Sequence, residues 1–163
     1  MTRVGIGAAL VSQAALSARA SSSGQMGKEW VSVLEQVPLF QSLSKRHVRR
    51  VADLAAVRRF EAGSSIIRAG EPADAFHVIL DGTAQARPRS GRPVKLRAGD
   101  FFGEMALLDR APRSADVQAV TEVLTMRLGR PAFAKLIKQE PQITAALLAT
   151  LAERVRRLEK TAA

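Results

Sequence analysis

The sequence predicts an α+β domain in which helices flank an all-β middle on both sides. Two observations carry this. Apolar residues recur at helical spacing before about Val57 and after Gly129. Between about Val57 and Leu128 the apolar runs are short and separated by turn residues, the texture of a small sandwich or barrel. A chain of 163 residues fits one such domain with something left over. With 47% hydrophobic residues it can bury a core without staples.

In chain order, Met1 to Gly27 reads as a flexible tail rich in Ala, Ser and Gly. A docking helix is one alternative, and a signal peptide is another, since Ala18-Arg19-Ala20 mimics a small-x-small cleavage site. The tail is too short and too polar to span a bilayer. The domain proper then runs over 28–163. Lys28 to Val37 reads as a short helix, with Trp30, Val33, Leu34 and Val37 on one face and Pro38 as its stop. Leu39-Phe40 is an apolar plug. Ser44 is a good N-cap for a helix running to about Ala55, with Val48, Val51 and Leu54 facing inward.

The β region follows. Ser65 to Arg68 is a short strand between two turns. Phe76 to Leu80 is a strong strand, and Asp81-Gly82 directly after it signals a hairpin to Thr83–Arg87. Val94 to Arg97, Ala115 to Val120 and Val123 to Leu128 complete the series. Pro131 suits a first helical turn, with Phe133, Leu136 and Ile137 on one face. Pro141 opens another helix, where Ile143, Leu147, Leu148, Leu151, Val155 and Leu158 form a stripe of about five turns.

Composition narrows the function classes. There is no cysteine, hence no disulfide, thiol nucleophile or thiolate metal site, which suits the cytoplasm. The two histidines, His47 and His77, are isolated, so neither a metal site nor a Ser/His/Asp triad is expected. No Walker phosphate loop is present. Catalysis is therefore not expected. The net charge of +10 favours anionic partners and is concentrated in Lys45–Arg59 and Arg87–Arg97. Each cluster reads either as a solvated basic face or as a contact for nucleic acid, membrane or an acidic protein.

One stretch, Phe101 to Ala115, breaks the strand rhythm. Gly103 lets the backbone approach a ligand closely. Glu104 to Leu108 are good helix formers, so a single helical turn is expected just after the glycine. Its first amides would form an anion site. Arg113, stiffened by Pro112, can give a phosphate two parallel hydrogen bonds. Glu104 can accept from a sugar hydroxyl. Alternatively, Glu104 and Arg113 pair with each other on a loop.

This segment, Phe-Gly-Glu-x-Ala-Leu-Leu followed by Pro112-Arg113-Ser114-Ala115, closely resembles the phosphate-binding cassette of cyclic-nucleotide-binding domains. That family includes catabolite activator proteins, protein kinase A regulatory subunits and cyclic-nucleotide-gated channels. The framing runs Gly70-Glu71-Pro72-Ala73-Asp74, Phe76 to Gly82 and Ala98 to Phe102 are similar too, and the resemblance covers roughly Val37 to Leu158. It implies an eight-stranded, jelly-roll-like β-roll flanked by N-terminal helices and two C-terminal helices. It implies that Glu104 holds the ribose 2′-hydroxyl. Arg113 would pair with the cyclic phosphate, aided by Ser114 and by amides near Gly103 and Ala106, with Phe102, Met105 and Ala115 completing the wall. It implies a lid from the last helix, with Leu147, Leu151 and Arg154 as candidate base contacts.

The resemblance favours cyclic AMP, with cyclic GMP open because a hydroxyl at Ser114 can reach a guanine amino group. A sensor without catalytic residues is the expected function, relaying ligand binding to an unknown effector as a monomer or as a dimer through the last helix. The alternatives are a regulatory fragment of a gated channel, or a degenerate activator-type protein acting on protein or nucleic acid. Specific DNA binding is not expected, since only a few residues follow the long helix.

Overall fold

The structure is a computed structural model. It describes residues 23–25, 30–72, 74–89, 91–103, 112–113 and 115–162. The short helical turn expected at Glu104–Leu108, and with it Glu104, Met105 and Ala106, lies outside the described residues, as does Ser114.

The elements run β1 (Ser23–Gln25), α1 (Val31–Glu35), a 3-10 turn (Pro38–Phe40), α2 (Lys45–Leu54), β2 (Ala56–Phe60), β3 (Ser65–Ile67) and β4 (Ala75–Asp81). After these come β5 (Ala84–Pro88), β6 (Val94–Leu96), β7 (Phe101–Phe102), β8 (Ala115–Ala119), β9 (Val123–Gly129), α3 (Arg130–Gln139) and α4 (Pro141–Ala162). The strands form two antiparallel sheets. One has the order β1-β2-β9-β4-β7, the other β3-β8-β5-β6. This is the expected α+β roll with helices before and after it.

Strand β4 shows why the sequence folds this way. Its apolar run is continuous because both of its faces are covered. Phe76, Val78 and Leu80 face the helices, in one core with Trp30, Leu34, Val48, Phe133 and Leu136. Ile79 faces the other sheet and packs with Phe102, Leu96, Val117 and Val123. The period of two along the strand thus divides a single run between two cores.

The helices start where the local chemistry dictates. The Ser44 side chain accepts a hydrogen bond from the His47 amide at the head of α2. Pro131 occupies the first turn of α3. Leu39 and Phe40 are buried, as a plug should be. Among the described residues, no helix is long and apolar enough to cross a membrane.

Three expectations need correction. Residues 23–25, placed in the tail by the sequence, form β1 and pair with Ala56–Arg58. They bring the described strands to nine rather than eight. A segment held by backbone bonds at a sheet edge needs no apolar pattern to announce it.

Asp81-Gly82 does not close a hairpin. β4 already has β9 and β7 as neighbours, so the chain passes to the other sheet, where β5 pairs with β6 and β8. Gly82 has a φ of +91°, and a Cβ there would stand 2.1 Å from the Glu122 carbonyl oxygen. Glycine is needed for this crossing rather than for a two-residue hairpin.

Finally, among its described side chains the stripe on α4 is buried only at its start. Ile143 and Leu147 lie in the core and Leu151 is half-buried, whereas Leu148 is 60% and Val155 54% exposed. A helix of 22 residues is about 33 Å long and outruns the core beneath it.

Candidate functional site

The site is built where Gly103 leaves β7 and Arg113 approaches β8. Backbone bonds fix Arg113 against the turn that precedes β4. Its amide donates to the Glu71 carbonyl at 2.9 Å, and the Gly70 amide donates to its carbonyl at 2.8 Å. One residue earlier, the Ala69 amide donates to Oδ1 of Asp116 on β8 at 2.7 Å. Two distant stretches, 69–71 and 113–116, are thereby held side by side.

Arg113 is buried, although its side chain carries a charge. A buried guanidinium must be met by acceptors, and it is. Nη1 donates to the Gly103 carbonyl at 2.7 Å, and Nη2 donates to the Ala75 carbonyl. Nη2 also lies 3.4 Å from Oδ1 of Asp74. Gly103 makes this possible. Its φ is +90°, and a Cβ there would fall 2.6 Å from Nη1 and 2.9 Å from the Ala75 carbonyl oxygen. Among the described residues the fork is thus oriented by two carbonyls with the Asp74 carboxylate beside it, and a guanidinium held in one orientation can meet an incoming anion.

Asp74 is itself shared. Its Oδ2 lies 3.5 Å from Nη2 of Arg127 on β9. Burial alone would raise its pKa, but Arg127 and Arg113 outweigh this and hold it below the usual carboxylate range.

His77 lies immediately behind. It stacks on Phe102 at 5.1 Å with the rings 8° apart, meets Phe60 edge-on, and places Nδ1 3.1 Å from Oγ1 of Thr125. Burial, then the charges of Arg113 and Arg127, push its pKa down to about 3. It is a neutral core residue.

Of the residues singled out in the sequence, the structure brings together Phe102, Gly103 and Arg113, with Ala115 opening β8 beside them. Leu147 and Leu151 are not at this site. Leu147 lines an apolar pocket with Leu39, Phe40, Phe76, Phe133 and Ile143, and Leu151 packs on the same helical core. Arg154 falls on α4, and its side chain is outside what the structure describes.

Sequence reasoning missed the roles of Asp74, Arg127 and the Ala75 carbonyl. Asp74 stood in the framing motif with no role of its own. Nothing local marked it, or Arg127 fifty-three positions later, as partners of the same charge system.

Comparison with known proteins is consistent with this geometry. A family model described as the cyclic nucleotide-binding domain matches residues 57–140. The cAMP-dependent protein kinase regulatory subunit of Aspergillus fumigatus is 43% identical over 118 residues, 71% of this chain and 29% of that protein. The chain therefore spans less than a third of the length of this curated relative.

Among solved structures, the Thermus thermophilus catabolite activator protein superposes with a TM-score of 0.69 at 29% identity, covering 76% of this chain and 61% of that one. The regulatory domain of Toxoplasma gondii PKA, crystallised with cAMP, superposes at 0.66 with 28% identity, covering 87% and 52%. The regulatory subunit of a cAMP-independent protein kinase A from Trypanosoma cruzi, bound to guanosine, reaches 0.67 at 26% identity, covering 82% and 50%.

Proposed function

Because the chain belongs to the cyclic nucleotide-binding domain family, we propose that it is a sensor for cyclic AMP, with cyclic GMP as the second ligand to test. The observation that carries this is the Arg113 guanidinium, buried and aimed by the Gly103 and Ala75 carbonyls, with the Asp74 carboxylate beside it. A planar cation held in one orientation suits a singly charged cyclic phosphate, which it can meet with two parallel bonds.

In this reading Arg113 takes the phosphate, aided by Ser114 and by amides near Gly103 and Ala106. Glu104 takes the ribose hydroxyl, and Phe102, Met105 and Ala115 shape the wall. The signal leaves through the C-terminal helices. α3 begins directly beside the site, since the Arg130 amide donates to the Asp74 carbonyl at 2.9 Å. Movement of Asp74 is thus movement of the first turn of α3. α4 follows α3 and would swing to cover the base with Leu147, Leu151 and Arg154, or pair with a second copy. The output is to an effector protein in the cytoplasm, and no catalytic role is assigned to any residue.

The test is calorimetric titration of the wild type, Arg113→Lys and Arg113→Ala with cyclic AMP, cyclic GMP and guanosine. Loss of a charge-assisted contact costs roughly 1.5–3 kcal/mol, about ten- to a hundredfold in affinity. Tight cyclic AMP binding that weakens by this amount in Arg113→Ala, and by less in Arg113→Lys, is expected. Binding of guanosine alone, with no effect of either substitution, would replace the cyclic-phosphate reading by a nucleoside one.

A further inference from the structure

The run Arg87–Arg97 carries five basic residues and no acid, and the nucleotide site leaves it unused. The fold sets it at one margin of the second sheet. β6 is the edge strand there, paired with β5 alone. Ala84, Ala86 and Leu96 turn towards the core between the sheets. Side chains alternate along a strand, so Arg87 on β5 and Lys95 on β6 turn outward, and Arg97 follows on the same side. Lys95 pairs with Gln85, which puts Arg87 diagonally across from it, about 7–8 Å away. Arg89 and Arg92 lie in the loop between the strands.

All five cations are exposed. Among the described residues, none of them is in an ion pair. The neighbouring carboxylates are engaged by backbone instead. Asp116, across from Arg87, accepts the Ala69 amide, and Asp100 accepts the Arg97 amide. Like charges held together without counter-charges repel one another, a cost that an anionic partner removes. Val94 lies among them, where β6 runs past the core, and is 52% exposed.

Three kinds of anionic partner differ in what they require. A nucleic-acid strand wants aromatic platforms for its bases, and here every Phe and the one Trp pack in the two cores. An acidic peptide adding to the sheet edge wants a long template, and β6 has three residues. A lipid surface requires only a cluster of exposed cations, helped by an apolar side chain at its boundary. We propose that the β5–β6 hairpin docks this chain on an anionic lipid bilayer, with its basic side chains among the headgroups and Val94 at the boundary.

The experiment is co-sedimentation of the full chain with vesicles of phosphatidylcholine alone and with about one-third phosphatidylserine. The hairpin variant is Arg87→Gln/Lys95→Gln/Arg97→Gln. Arg89 is left in place because its Nη2 reaches over the turn at Gly70, whose amide bonds the Arg113 carbonyl. The control is Lys45→Gln/Arg46→Gln/Arg49→Gln, which removes the same charge from exposed positions on α2, a helix of the other core. Thermal unfolding checks that each variant is folded.

Each cation near such a surface contributes about fivefold in affinity. The wild type should bind the phosphatidylserine vesicles and not the neutral ones. The hairpin variant should lose at least about tenfold, and the α2 variant less than about threefold. Binding should fall as salt is raised. Equal losses in the two variants would mean that net charge alone attracts the chain, and would overturn the proposal. So would wild-type protein that ignores phosphatidylserine, or that binds a single-stranded oligonucleotide through the hairpin in preference to the vesicles.

Discussion

The position a Cβ would occupy on Gly103 is 2.6 Å from Nη1 of Arg113, the same nitrogen that donates to the Gly103 carbonyl at 2.7 Å. Glycine and arginine therefore specify each other. Any side chain at residue 103 must push the guanidinium aside, and the backbone there has a φ of +90°, which L side chains rarely adopt.

Gly103→Ala should accordingly damage binding and folding together. The strained φ costs about 1 kcal/mol or more, and the displaced guanidinium loses two carbonyl acceptors. Cyclic AMP affinity should fall at least tenfold and the melting temperature by several degrees. Titration and thermal unfolding of the one variant check both. Wild-type affinity in Gly103→Ala would show that Arg113 does not need its observed orientation.

His77 makes the fold sensitive to acid. Its pKa is pushed from 6.5 down to about 3 in the folded chain, first by burial and then by Arg113 and Arg127. Between those values the unfolded chain holds the proton and the folded chain does not. Stability is therefore full above about pH 6.5 and falls as the pH drops towards 3, by up to about 1.4 kcal/mol per pH unit. Asp74 acts in the same direction, but its lowered pKa confines its effect to more acid pH. Urea unfolding at pH 4.5, 5.5 and 6.5 should show the loss in wild type and a flatter profile in His77→Gln. An imidazole resonance of His77 that titrates near pH 6.5 would contradict the assignment.

How much of this was legible in the sequence follows from the range of the signals. Ser44 announced its helix because the cap bonds an amide only three residues away. The buried faces of α1, α2 and α3 and the run Phe76–Leu80 were legible because each is periodic within its own element. The Asp81-Gly82 turn was visible, but no turn signal says which sheet the next strand joins. That depends on β9 and β7, which occupy both edges of β4.

The charge system shows the same limit. Arg113 and Gly103 were legible from a local motif. The Asp74–Arg127 contact spans 53 positions and exists only because β4 and β9 lie side by side.

The junction between the last two helices is tied to α2 by another contact of this kind. Nε2 of His47 lies 2.9 Å from Oε2 of Glu140, the residue between α3 and α4. The other ring nitrogen lies 2.8 Å from the Ser44 hydroxyl. Each partner is about one-fifth exposed, so the pair is stronger than a fully solvated one yet still modest. Urea denaturation of wild type, His47→Ala, Glu140→Gln and the double variant should give a coupling of about 0.5–1 kcal/mol. Additive effects would mean that the junction is held by α3 and α4 packing alone.

Leu147 and Leu148 are neighbours with opposite fates. Leu147 is 3% exposed against Ile143 and Phe133, and Leu148 is 60% exposed. Truncating a buried leucine removes apolar contact and leaves a cavity, at a cost of about 2–4 kcal/mol. Leu147→Ala should therefore lower the melting temperature by about 5–10 °C in a chain of this size. Leu148→Ala should leave it within about a degree, because that side chain has little contact to lose. The comparison also separates two uses of the α4 stripe. If Leu148→Ala destabilised the protein more at high concentration than at low, the exposed part of the stripe would be covered by a second copy in solution. If the effect of Leu147→Ala vanished once cyclic AMP was bound, α4 would have left the helical core, as the lid movement requires.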